Sequence, residues 1–261
     1  MIDCERPRFE IPCLVKITTF LLFCFWSILF GGCEEKNLNP AETIVRKSII
    51  AHGGWEAWEK VRQVKYRKTI LLFDSTGQLE SKVIQFHSYQ LKPLFTGEIS
   101  WKVAEDTHRI VYDGEQAVKM INGQALEDSL ASQNAYNSMM AAHYVLFQPF
   151  KLLDPGVVLR YEGRDTLEEG EVVDVVLASY NRDNSNHTKS DRWWYYFDAS
   201  SNRLLANMVE HEANNSYIKN LDYDATNALL LNHHRKSYTV DSLRNLLFLR
   251  AEYFYDDIKL D

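Results

Sequence analysis

Downstream of residue 33 the chain has no cysteine, because its four cysteines are Cys4, Cys13, Cys24 and Cys33. That excludes a framework of disulfides and any C-x-x-C metal or redox pair, so the fold must be held by its core. Long apolar runs are also missing. The most apolar stretch, Ile17 to Phe30, falls short of the roughly 20 residues that span a bilayer. Positive charge is in deficit, 29 Lys and Arg against 36 Asp and Glu, a net charge of −7 with no basic stripe. Such a surface is repelled by phosphate, and nucleic acid is not an expected partner.

Catalytic and metal-binding patterns are equally scarce. There is no G-x-S-x-G elbow and no glycine-rich phosphate loop. His211 and Glu212 begin an H-E-x-x-H string, but the fifth position is Asn215, so the second imidazole is lacking. Asp222 and Asp224 open like a calcium loop, yet Asn227 stands where glycine is required and His233 where a bidentate glutamate is required. His233 and His234 are adjacent, which in a regular strand puts them on opposite faces. No catalytic residue, metal ligand or cofactor is expected.

What is present begins at the N-terminus. Phe20, Leu21, Leu22, Phe23, Phe25, Trp26, Ile28, Leu29 and Phe30 form an uncharged apolar segment, followed by the small residues Gly31 and Gly32 and then Cys33. This is the layout of a bacterial lipoprotein signal, cleaved before a cysteine that becomes lipidated. The expectation is a signal peptide over 1–32, a lipidated Cys33 with a polar tether over 33–39, and one folded domain over 40–261. Asp3, Glu5 and Glu10 balance Arg6, Arg8 and Lys16, so cleavage leaves the net charge unchanged. Each buried methylene contributes about 0.8 kcal/mol, and two or three acyl chains hold a protein on its membrane for good. The predicted location is the bacterial cell envelope, at the outer membrane, with the bilayer as partner through the anchor.

Beyond the tether the pattern is a helical cap and then many short strands. Asn39 suits an N-cap and Pro40 a first helical position, with Ile44, Val45 and Ile49 at helical spacing before Gly53 and Gly54. A brief second turn sets Trp55, Trp58 and Val61 on one side. Then the period becomes two: Val64, Tyr66, Ile70 and Leu72 alternate with Lys65, Arg67, Thr69 and Leu71, and Asp74 to Gly77 make a hairpin turn. Asp113–Gly114 and Asn122–Gly123 mark further hairpins. Helical spacing returns over Ala131 to Leu153, divided at Pro149, before strands resume to Ile258. The predicted fold class is mainly β with α, an antiparallel sheet of about ten or eleven strands that must curl, with helices on its concave face.

The run Ala51, His52, Gly53, Gly54 and Trp55, closing a helix before a long first strand, resembles the opening of the outer-membrane lipoprotein-sorting (LolA/LolB-like) carriers. Pro149 to Gly156 and Tyr161, Glu162 and Gly163 resemble an uncharacterised family of bacterial lipoproteins related to them, and the likeness spans roughly Ala41 to Leu260. It implies an unclosed antiparallel half-barrel with a helical lid and an apolar concave face that holds acyl chains in the sorting proteins. It carries over no catalytic residue. The soluble carriers lack a lipid anchor, so a chain with Cys33 looks more like the anchored acceptor.

Large apolar side chains occur on both strand phases near Trp193, more than a one-sided sheet needs. They pack under helices or line a groove. The candidate ligand-binding residues are Trp101, Met139, Met140, Tyr144, Phe147, Phe150, Trp193 and Trp194. Two functions stay open: a non-enzymatic lipoprotein holding an apolar or acyl-chain ligand, or lipoprotein, in a half-barrel groove, and an anchored scaffold that recruits another envelope protein. A hydrolase with a scattered site ranks behind both. Oligomeric state is not legible.

Overall fold

The computed structural model describes residues 39–180, 192–210 and 215–261. The apolar leader, Cys33, the tether up to residue 38, and His211 and Glu212 lie outside the described residues.

Asn39 caps helix α1 (Pro40–Ala51): its Oδ1 accepts from the Ala41 amide, and Pro40 takes the first helical position. The same side chain donates to the Leu159 carbonyl at 2.8 Å, so the cap also docks the helix. Ala41, Val45, Ser48 and Ile49 form the buried stripe. After the Gly53–Gly54 turn comes a short helix α2 (Trp55–Lys60). Its Trp58 packs at ring-centroid distances of 4.7 Å from Phe147 and 5.3 Å from Phe150. Trp55 does not share that side. It is 42% exposed, and its indole N–H donates to Glu59.

The strands are β1 (Gln63–Phe73), β2 (Leu79–Gln90), β3 (Thr96–Val103), β4 (Asp106–Tyr112), β5 (Ala117–Ile121) and β6 (Gln124–Ala125). Helix α3 (Ser129–Leu146) and a 3₁₀ turn (Phe150–Leu153) follow, then β7 (Val157–Thr166), β8 (Val172–Tyr180), β9 (Arg192–Asp198) and β10 (Leu204–Glu210). Last come β11 (Asn215–Asp224), β12 (Leu231–Val240) and β13 (Leu246–Leu260). All thirteen described strands lie in one sheet, in the order β6-β5-β4-β3-β2-β1-β13-β12-β11-β10-β9-β8-β7. The chain thus makes two antiparallel meanders that join where the first strand pairs with the last, Val64 opposite Leu260 and Lys68 opposite Tyr255. The strand count exceeds the sequence expectation partly because β6, only two residues long, has no periodicity to read.

α3 fixes the curvature. Asp128 caps it by accepting from the Leu130 and Ala131 amides. One side of α3 packs on β3, β4 and β5. From its other side the Tyr144 hydroxyl meets Tyr180 of β8 at 2.6 Å and Tyr195 of β9 at 3.3 Å. β5 and β8 are ten positions apart in the sheet, about 48 Å if it were flat, whereas a helix with its side chains is only about 10–12 Å across. The sheet must therefore curl round α3. β-Bulges in several strand pairs, such as those at Lys65/Arg67, Tyr161/Gly163 and Asn220/Asp222, supply local bending. β6 and β7 stay at opposite ends of the order, so the barrel is unclosed.

The main core lies between the concave face and the helices, with Tyr89, Met139, Phe147, Phe150, Tyr195 and Tyr255 fully buried. A second apolar cluster, Val173, Val175, Leu177, Trp194, Tyr196, Ala206 and Met208, sits on the convex face of β8 to β10. Side chains of both strand phases are buried there, as the sequence implied. One expectation fails. A bulge between Asp222 and Tyr223 leaves His233 without a register partner. His233 bonds Asp222 and Asp256 while His234 bonds Glu252 and stacks on Phe254, so both imidazoles share the convex side. Alternation cannot hold across an extra residue.

Candidate functional site

The concave face is not filled. A cavity of about 520 Å³ lies between α3 and the inner side of the sheet, a size suited to a ligand of drug or lipid dimensions. α3 lines it with Ala135, Ser138, Ala141, Ala142 and Val145, positions that recur at helical spacing on one face. These residues are small, so the helix stands over the sheet without reaching into it. Asn134, Ser138 and Ala141 are exposed, and that half of α3 forms the open mouth. The opposite wall carries Ile70, Ile99, Trp101, Ile110, Trp193, Val209 and Ile218.

The floor is polar. Lys68 of β1, Arg235 and Ser237 of β12, and Asn207 of β10 face the cavity beside Tyr253 and Tyr255 of β13. Lys119 stands against Trp101, its ammonium 6.0 Å from the ring centroid. Arg235 is buried and donates from Nε to Asn220 Oδ1 at 2.8 Å and from Nη2 to Asn207 Oδ1 at 2.7 Å. Lys68 lies 4.9 Å from the Tyr253 ring and 5.4 Å from the Tyr255 ring. Burial pushes the Tyr255 phenol up, but Lys68 and Arg235 outweigh it and hold the phenol below its ordinary value.

At the β2 side His87 joins the wall. Its Nε2–H donates to Gln85 Oε1 at 3.1 Å, leaving Nδ1 to accept from Tyr89 at 2.5 Å or Tyr66 at 3.0 Å. Burial, reinforced by the Lys68 charge, drives its pKa well down and keeps the ring neutral. With both nitrogens engaged and two phenols held protonated by burial, this network is a structural brace. Among the described residues no cluster of three His, Cys, Asp or Glu is placed to hold a metal.

The candidate residues read from the sequence divide into three groups. Trp101 and Trp193 line the cavity. Met139, Tyr144, Phe147 and Phe150 are buried under α3 and the 3₁₀ turn, with Met140 packed against them. Trp194 points to the convex face, where Arg244 and Arg192 lie 4.1 and 5.0 Å from its ring. Lys68, Asn207, Arg235 and the small face of α3 were not singled out. The available clue was phase: Lys68 falls on the same alternation as Val64, Tyr66 and Ile70.

By sequence, the chain matches no family profile and no curated protein. By structure, it is similar to a DUF1329 family protein from Desulfovibrio piger at TM-score 0.53 and 5% identity, covering 86% of this chain and 94% of that one. A LolA superfamily protein from Nitrosomonas europaea matches at TM-score 0.53 and 10% identity, over 85% and 93% of the two chains. A domain from Vibrio parahaemolyticus described as an outer membrane lipoprotein-sorting protein matches at TM-score 0.52 and 10% identity, over 84% and 91%. The half-barrel with an N-terminal and a mid-chain helix is a LolA-like fold.

Proposed function

We propose that this protein is a non-enzymatic lipoprotein of the bacterial envelope that holds an acyl chain in the cavity beneath α3. The observation that carries the reading is the combination of small side chains on the cavity-facing side of α3 with a wall of Ile, Val and Trp across from it. A core element that only filled space would present large side chains to native packing density. The shared fold with a protein described by lipoprotein sorting adds support. Cys33, lipidated after removal of residues 1–32, would tether the domain over 40–261 to the outer membrane through the polar segment 33–39.

The test is lipid extraction and mass spectrometry on protein purified from its own membrane, with labelled palmitate tracking Cys33. The expected result is label lost in Cys33→Ser and co-purifying acyl lipid beyond the chains on the anchor. Protein free of extra lipid, with an unoccupied cavity, would favour a scaffold that recruits an envelope protein. Label retained in Cys33→Ser would overturn the anchor.

A further inference from the structure

Resting on the acyl-chain reading, we infer that the cavity selects an anionic amphiphile, its carboxylate or phosphate head seated on Lys68, Arg235 and the Asn207 amide, with the chain running along the small face of α3. The argument begins with uncompensated charge. Lys68 and Arg235 face the cavity from strands on either side of β13, opposite Tyr255 and Tyr253 in the register. Neither makes an ion pair among the described residues, and no Asp or Glu lines the cavity.

The nearby acids are spent on the other face. Asp256 and Asp257 pair with Arg67, and Glu252 with His234 and Lys236. Glu252 and Asp256 alternate with Tyr253 and Tyr255 along β13, and Asp257 is turned to the Arg67 side by the bulge opposite Lys65/Arg67, where its own φ is +55°, so none can turn inward without a register change. Arg235 is 3% exposed, and a buried cation without a counter-charge is costly. Its neighbours Asn220 and Asn207 are neutral, and the Tyr255 phenol, which bonds both Arg235 and Lys68, offsets only part of the cost, as do the tyrosine rings near Lys68.

A second, independent feature points the same way. Asn207 is 1% exposed, and its Oδ1 is fixed by Arg235, yet its Nδ2 has no hydrogen-bond partner among the described residues. An orphaned buried donor beside two cations that have no carboxylate partner among the described residues is a set of groups complementary to an oxyanion. The apolar walls supply the place for the tail, which separates this arrangement from a site for a small free anion.

The experiment uses the full lipidated chain in membrane vesicles with two photoactivatable probes of equal chain length, a fatty carboxylate and a fatty alcohol. Crosslinks are mapped by mass spectrometry, with inorganic phosphate as competitor. The carboxylate should label α3 and β9 peptides at least tenfold more than the alcohol. Lys68→Gln should erase that preference while alcohol labelling stays constant, and Arg235→Lys, which keeps the charge, should retain most of it. Equal labelling by the two probes in the unmodified protein overturns the anionic head while leaving the acyl-chain reading intact. No cavity labelling by either overturns the acyl-chain reading itself. Carboxylate labelling abolished by phosphate, with alcohol labelling unaffected, assigns the cations to a free anion and overturns the amphiphile.

Discussion

His52 Nε2 accepts a hydrogen bond from the Leu204 amide at 3.2 Å, across a sequence separation of 152 residues. Its Nδ1–H donates to the Leu230 carbonyl at 2.8 Å, and the Leu230 amide returns a bond to the His52 carbonyl at 3.0 Å. One neutral imidazole at the end of α1 therefore ties together the β9–β10 and β11–β12 connections. Burial lowers its pKa to about 4, against a smaller upward push from the Leu230 hydrogen bond. Protonation would destroy the acceptor that holds Leu204.

The unfolded chain protonates this histidine near pH 6.5, while the folded chain resists until about pH 4. Stability present above pH 6.5 is thus lost as pH falls through that window, in total by about 3 kcal/mol. Burial holds His143 at about 3 and His87 well down, so both add to the same acid sensitivity. Urea unfolding followed against pH should show the decline. His52→Gln should lose about 2 kcal/mol at neutral pH through unsatisfied buried groups and show a shallower slope between pH 4 and 6.5. An unchanged slope would remove His52 from the explanation.

The neighbouring glycines should respond unequally to the same substitution. Gly53 has φ +111°, and a Cβ there would stand 2.3 Å from the Ala228 carbonyl oxygen, whereas Gly54 at φ +86° faces open space. Gly54, with ψ 162°, sits in a backbone region that essentially only glycine occupies, so Gly54→Ala bears that conformational cost alone, about 1–3 kcal/mol. Gly53→Ala adds a backbone clash and should exceed about 4 kcal/mol, the range of a severe single mutation. Thermal denaturation of the pair side by side would reveal the gap, and equal losses would show that the loop at Ala228 yields.

Met139 and Ser138, consecutive residues on different sides of α3, separate packing from binding. The Met139 side chain is fully buried and fits against Gly97, where an added Cβ would lie 2.9 Å from its sulfur. Met139→Ala should cost about 2–5 kcal/mol. Ser138 lines the open mouth, so Ser138→Trp should fill the cavity, lower acyl-probe labelling at least tenfold and move stability by less than about 1 kcal/mol. Retained labelling in Ser138→Trp would place the ligand elsewhere.

The fold was legible because its cues are local: Asn39 and Pro40 start α1, the Asp74–Gly77 and Asn122–Gly123 turns punctuate the meander, and Val64, Tyr66 and Ile70 keep period two. The site was less legible because large residues attract attention and a cavity is made by small ones. Met139, Phe147 and Phe150 fill space, while Ser138, Ala141 and Ala142 leave it. Lys68 broke the apolar alternation of β1 and was the one cue to a polar floor. Arg235 gave no such cue, because the bulge at His233 shifts the phase of β12 just before it.

Trp193 and Trp194 give the sharpest division, since adjacent strand residues point to opposite faces. Trp193 lines the cavity and stacks with Tyr195 at 6.2 Å. Trp194 belongs to the convex cluster beneath Arg192 and Arg244, both of which pair with Glu210. Truncating Trp194 to Ala removes a ring that is 3% exposed and its two cation contacts, so it should cost about 3–5 kcal/mol. Acyl-probe labelling of the protein that still folds should stay unchanged. Trp193→Ala removes wall from the cavity and should reduce labelling severalfold with a smaller loss of stability, because that ring is only partly buried. Labelling that falls in Trp194→Ala but persists in Trp193→Ala would put the ligand on the convex face and overturn the assignment of the concave cavity.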